Sequence, residues 1–200
     1  MDISCECGKF QARLKAFPKD TPGRLVCYCD DCQAYMRHLK REDLLDANGG
    51  TEVVPVYPAD IQIIQGAECL TCTQLAPGGT LRFSTTCCNT PIGNTRAGTP
   101  WAGLMRRVYT VKDAGALDRA LGPVRSRIMG KFAKGTPPAG TPAKFNLKAL
   151  MTVMPFMLKG KLLGKARPSP FFAPGSVTLV APPRVLTPAE REALRPGAAG

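Results

Sequence analysis

The sequence predicts a mainly β fold followed by a basic, partly helical C-terminal extension. Three observations carry this expectation. Residues 1–112 read as short β-branched or alternating segments broken by turn signals. Seven of the nine cysteines fall there in three close-spaced sets: Cys5-x-Cys7, Cys27-x-Cys29-x-x-Cys32 and Cys87-Cys88. Charge is unevenly placed: residues 1–122 carry 14 Lys/Arg against 13 Asp/Glu and residues 123–200 carry 13 against 2, so +11 of the net +12 lies in the C-terminal part.

The elements follow in order. Lys9–Phe17 alternates polar and apolar through Phe10, Ala12, Leu14 and Ala16, the period of a half-buried strand. Leu25–Val26 leads into the second cysteine set, and Cys32–Leu45 reads as a short helical piece. Glu52–Tyr57 and Ile61–Ile64 are short and β-branched, Thr80–Phe83 precedes Cys87-Cys88, and Trp101–Val111 reads as a closing strand. Pro18, Pro22-Gly23, Asn48-Gly49-Gly50, Pro77-Gly78-Gly79 and Gly98 punctuate them. Ala114–Leu121 reads as a short helix ended by Gly122-Pro123.

This gives a first unit at residues 1–122, a Pro/Gly-rich linker at 123–143 and a basic extension at 144–200. Within the extension, Lys144–Lys165 reads as a Leu/Met-rich helix kinked or broken at Pro155. The proline-rich remainder reads as extended or disordered, except for Thr187–Leu194, where Thr187 and Glu190 form a capping box around Pro188.

Close-spaced cysteine pairs on separate turns are how a chain gathers thiolates around a metal, zinc above all. Cys5 and Cys7 flank a single residue, Gly8 permits a tight knuckle, and Cys88 is the natural distant partner. Cys27, Cys29 and Cys32 offer three thiolates, and three ligands with an open fourth position is the usual layout of a catalytic zinc. The alternative is that all seven are folding staples. Up to two zinc ions are expected. An odd cysteine count with spacings too short for pairing argues against a secreted disulfide framework. No basic-then-apolar leader is visible at MDISCECG, and the longest apolar run, Ala149–Leu158, is well short of the roughly 20 residues a membrane span requires. These points together place the chain in the cytoplasm. No Gly-rich phosphate loop is visible, and a single histidine leaves little room for a Ser/His/Asp triad.

The order CxCG, then CxCxxCQ, then a cysteine followed by Asn89-Thr90-Pro91-Ile92-Gly93 resembles the glutathione-dependent formaldehyde-activating enzymes, the family that includes centromere protein V. The resemblance spans roughly residues 3–112. It implies a β-tent of small antiparallel sheets, a structural zinc on Cys5, Cys7 and Cys88, and a second zinc on Cys27, Cys29 and Cys32 linked to glutathione. It implies carbon–sulfur lyase chemistry on a thiol–aldehyde adduct. The family pattern F-C-x-x-C-G is replaced here by Phe83-Ser84-Thr85-Thr86-Cys87-Cys88-Asn89, so Cys87 becomes the substitute fourth ligand, with Cys69 or Cys72 as the other source.

Other residues fit plainer roles. His38, in a basic helical segment, reads as exposed rather than as a ligand. Asp30 and Asp31 read as a solvated turn, as against groups that orient a water or a substrate amine, and Gln33 and Tyr35 are candidates to line the same site. Asn94 and Arg96 are candidates to hold a carboxylate, with a surface role for Arg96 as the simpler reading. Two functions remain open: a zinc lyase that binds glutathione or a related thiol, and a non-catalytic zinc-stapled module. The extension is expected to meet an anionic membrane surface or a second chain, or to lay Leu147, Leu150, Met151, Met154 and Leu158 on the β domain.

Overall fold

The computed structural model describes residues 1–15, 21–111, 113–176 and 178–195. It is mainly β. Strands β1 (Asp2–Ser4), β2 (Gln11–Leu14) and β5 (Ile61–Gln65) form a three-stranded antiparallel sheet in the order β1-β2-β5. In β2 the alternation read from the sequence holds over Gln11–Leu14, with Ala12 and Leu14 pointing into the core and Gln11 and Arg13 to solvent; Ala16 and Phe17 lie outside the described residues.

The larger sheet has eight strands. Its centre is an antiparallel run of β3 (Arg24–Cys27), β4 (Thr51–Val56), β9 (Ala102–Met105), β8 (Pro91–Thr95), β7 (Leu81–Thr85) and β6 (Leu70–Gln74). All five residues of β7 are buried, as expected for a strand covered on both faces. The two edges are closed by parallel additions, β10 (Val124–Ile128) on β3 and β11 (Pro183–Val185) on β6. These additions cover β3 and β6 and make two short strands the edges of the sheet, β11 being only three residues long.

Both closing strands come from stretches whose composition suggested a linker or disorder. Residues 123–143 carry β10 and then fold onto the domain. The Gln33 side-chain amide donates to the Phe132 carbonyl at 2.9 Å, and the Lys134 amide donates to Asn48 at 2.8 Å. Beyond residue 166, Phe171, Ala181 and Leu186 are buried, and the Phe171 ring lies 4.4 Å from that of Phe83. Prolines break helices and central strands, but they do not prevent single apolar side chains from anchoring an irregular segment.

The helices are α1 (Asp30–His38), α2 (Ala114–Leu121), α3 (Leu147–Leu162) and α4 (Pro188–Ala193). Helix α4 has the capping box expected of Thr187 and Glu190. Gly122, at a φ of 71°, ends α2. Helix α3 starts at Asn146, whose side chain accepts from the Ala149 amide, and it continues through Pro155 without breaking.

Its buried face is Ala149, Phe156 and Gly160, not the five residues named from the sequence. Phe156 stacks on Tyr57 with centroids 4.1 Å apart and meets Trp101 edge-on, and the Tyr57 hydroxyl donates to the Phe156 carbonyl at 3.0 Å. A Cβ on Gly160 would fall 2.5 Å from the Tyr57 ring, so only glycine lets the helix sit this close. The aromatic anchor fixes the helix rotation and leaves Leu147, Met151, Leu158 and Leu162 facing outward, each more than half exposed. No helix among the described residues is long and apolar enough to cross a membrane.

Phe156→Ala removes a buried ring stacked on Tyr57. It is expected to lower unfolding stability by about 3–5 kcal/mol in urea titration. A loss below about 1 kcal/mol would mean that α3 is not anchored as described.

Candidate metal centres

The first centre is assembled from two hairpin turns. Between β1 and β2 the chain makes a knuckle. The Gly8 amide donates to the Cys5 carbonyl at 3.1 Å, the Phe10 amide donates to Cys5 Sγ at 3.3 Å, and Gly8 adopts a φ of 76°. Between β7 and β8 the chain turns through Asn89, at a φ of 52°, with the Asn89 amide on the Thr85 carbonyl. This left-handed step lets the adjacent Cys87 and Cys88 point their sulfurs to one place.

The sulfurs of Cys5 and Cys7 are 3.6 Å apart, Cys5 and Cys87 3.8 Å, Cys7 and Cys87 3.3 Å, and Cys87 and Cys88 3.7 Å. A tetrahedron with metal–sulfur bonds of about 2.3 Å has sulfur–sulfur edges of about 3.8 Å. The four thiols therefore fit around one ion and could hold it. Burial alone would raise the Cys88 thiol, but hydrogen bonds with Thr90 and Thr85 and with Cys7 outweigh it and hold Cys88 down to about 5.

The second centre is built at a strand-to-helix junction. Cys27 ends β3, Cys29 is the N-cap of α1, and Cys32 lies in the first turn, where its amide donates to Cys29 Sγ at 3.3 Å. This spacing is what turns CxCxxC into one cluster, and the helix N-terminus favours negative sulfur. The three ligand atoms lie within 4.8 Å of one another and could hold a metal ion. The Cys32 thiol is brought well down by hydrogen bonds with Cys27 and Cys29 and by the nearby Arg82 cation, while those same sulfur contacts push Cys27 up.

Arg82, on β7, is the residue that sequence reasoning missed. It is 6% exposed, its Nη1 lies 3.8 Å from Cys32 Sγ, and its guanidinium sits 5.4 Å from the Tyr35 ring centroid. Among the described residues no carboxylate neutralises it; its anionic neighbours are the cluster sulfurs. A buried guanidinium needs a negative partner, and three thiolates around a divalent ion carry one net negative charge. The charge of Arg82 therefore matches a metallated cluster. Only the strand register reveals this, since a lone arginine fifty residues from Cys32 carries no motif.

The open side of this cluster faces a cleft of about 560 Å³. The sheet supplies Leu25, Val53, Asn94 and Ile128, Trp101 stands just before β9, and α3 with its approach supplies Phe145, Leu150, Val153, Met154 and Met157. Asp31 also lines it, but its carboxylate is taken by Arg191 of α4 at 2.7 Å.

The remaining candidates are placed elsewhere. Among the described residues Cys69 and Cys72 join neither cluster; Cys72 is fully buried on β6, and burial pushes its thiol up to about 11. Cys87 is the fourth thiol of the first set. His38 joins no cluster and is half-buried rather than exposed; burial and Arg184 lower its pKa. Gln33 and Tyr35 are buried, and Gln33 holds the Tyr28 carbonyl at 2.8 Å. Asn94 reaches the cleft; Arg96 is exposed and does not line it.

The family model described as "Family of unknown function (DUF6151)" matches residues 1–180. The chain belongs to this family. No curated protein matches it. A solved structure of a Rhodobacter sphaeroides protein from structural genomics aligns at 18% identity, over 64% of this chain and 99% of that one, with a TM-score of 0.43. Since the match over residues 1–180 includes α3, the helix over the cleft lies within the family's extent.

Two outcomes test these centres. Cys87→Ser should lower bound metal by one equivalent per chain, while Cys69→Ser keeps the wild-type content, both read by elemental analysis; the reverse pattern would reassign the fourth ligand. Arg82→Met should weaken metal at the three-thiol centre by about 10–100-fold in chelator competition while sparing the four-thiol centre. Unchanged affinity would separate Arg82 from the cluster's charge balance.

Proposed function

We propose that this protein holds two zinc ions, one structural on Cys5, Cys7, Cys87 and Cys88 and one reactive on Cys27, Cys29 and Cys32. We infer that the reactive centre works on a thiol–aldehyde adduct as a carbon–sulfur lyase. The observation that carries this is the asymmetry of the clusters: four thiols converge at one, whereas three line a cleft at the other. Structural zinc sites are closed by four protein ligands, and catalytic ones keep a position open. The resemblance to glutathione-dependent formaldehyde-activating enzymes supports the same reading.

In this reaction class a thiol adds to a carbonyl carbon, forming the carbon–sulfur bond while the thiol proton ends on the oxygen; the reverse direction splits the adduct. Zinc, when bound, favours the thiolate form of a ligand thiol or polarises an oxygen. The chain's own residues do the rest. Arg82, 3.8 Å from Cys32 Sγ, balances the sulfur charge. Asn94 offers an amide that can donate to an oxygen in the cleft. Met154 and Met157 of α3, with Trp101, limit water around the reacting atoms.

Cys29→Ser tests the proposal. Serine is itself a good N-cap, so α1 should persist. The variant should lose one zinc, keep its circular dichroism spectrum and lose thiol binding in calorimetry. Retention of both metals would overturn the assignment.

A second reading concerns the outer face of α3. Leu147, Met151, Leu158 and Leu162 form an exposed apolar stripe flanked by the exposed Lys148 and Lys161, and no acidic residue lies between Asp118 and Glu190. We propose that this face rests on anionic lipid, with its apolar side at the acyl boundary and each nearby cation adding about 1 kcal/mol. Sedimentation with phosphatidylserine vesicles should be lost on Leu158→Glu/Leu162→Glu and weakened by salt. Equal binding to neutral vesicles, or by the double variant, would contradict it.

A further inference from the structure

Resting on the reading of Cys27, Cys29 and Cys32 as a thiol-binding centre, the walls of the cleft indicate which thiol it takes. A tripeptide thiol such as glutathione brings two carboxylates and an ammonium, each of which needs a counter-charge or water once bound. The cleft offers two charged groups, and both are committed: Arg82 is buried against Cys32, and Asp31 is held by Arg191 at 2.7 Å. Arg96, the cation that sequence suggested for a carboxylate, does not line the cleft. Apart from the uncharged Thr51, Thr80 and Asn94, what remains is apolar. Leu25, Val53 and Ile128 line the sheet side, and Val153, Met154 and Met157 line the helix side. Methionine adapts its shape to varied apolar ligands.

We propose that the cleft binds a thiol, or its aldehyde adduct, whose body is an uncharged apolar chain. The sulfur reaches the three-cysteine cluster and the chain lies between the sheet and α3. No bond other than that of the thiol–aldehyde addition is made or broken. In this arrangement α3 is the specificity element: it supplies most of the apolar roof, and Phe156 and Gly160 fix its rotation on Tyr57.

Trp101, the sole tryptophan, lines the cleft and reports on its occupancy. The full-length zinc-loaded protein is titrated with octanethiol, butanethiol, octanol and glutathione, with tryptophan fluorescence as the readout. Octanethiol should bind more tightly than butanethiol by two- to fourfold per added methylene, up to the value for full burial of about fourfold, and at least tenfold more tightly than glutathione. Met154→Glu should weaken octanethiol at least tenfold with metal content unchanged. Glutathione binding as tightly as octanethiol, or no dependence on chain length, overturns the apolar-body proposal while leaving the thiol centre standing. Octanol binding as tightly as octanethiol supports the apolar cleft and overturns the thiol centre beneath it.

Discussion

The convergence of four sulfurs from two unrelated turns is the contact on which the rest of the molecule depends. Cys5 and Cys7 stand on the hairpin of the three-stranded sheet, and Cys87 and Cys88 stand on a hairpin of the eight-stranded one. Sulfur–sulfur distances of 3.3–3.8 Å are too long for a disulfide and close to a metal tetrahedron's edge. A bound ion there would fix the two sheets against each other, and its binding free energy would be folding free energy. The strands involved are short, so such a cross-link would replace part of what a larger apolar core contributes.

With the sheets fixed, the second centre is positioned by ordinary backbone structure. The β3–α1 junction presents three thiols, Arg82 arrives from β7, and the C-terminal segment closes the surroundings. Residues beyond 122 add both edge strands, the helix over the cleft, and the Arg191 contact that ties α4 to α1. The same helix buries Phe156 in the aromatic cluster and lends Met154 and Met157 to the cleft. One element therefore serves both the aromatic core and the wall of the cleft.

Much of this was legible in the sequence, and the parts that were not share a cause. The clustering of the cysteine sets was readable because their spacing is local: CxC sits on a knuckle, and CxCxxC on a strand end and a helix N-cap. The capping box at Thr187 and the stop at Gly122 were readable for the same local reason. Strands β10 and β11 were missed because each acquires its meaning from a distant partner, and the charged pattern of Val124–Ile128 has little strand character alone. Arg82 was missed because only folding brings it to Cys32. The rotation of α3 was missed because its apolar residues surround the helix, and the fit of Phe156 and Gly160 to Tyr57 selects the buried side.

The central claim is that the two clusters differ in kind, one closed by four cysteines and one open with three. X-ray absorption at the zinc edge of the purified full-length protein tests this most directly, recorded with and without an added alkanethiol. The account predicts two zinc ions per chain and an average sulfur coordination between three and four at about 2.3 Å, rising to four when the thiol is added. A sulfur count that is already four in the free protein, or that does not change on thiol addition, would contradict it.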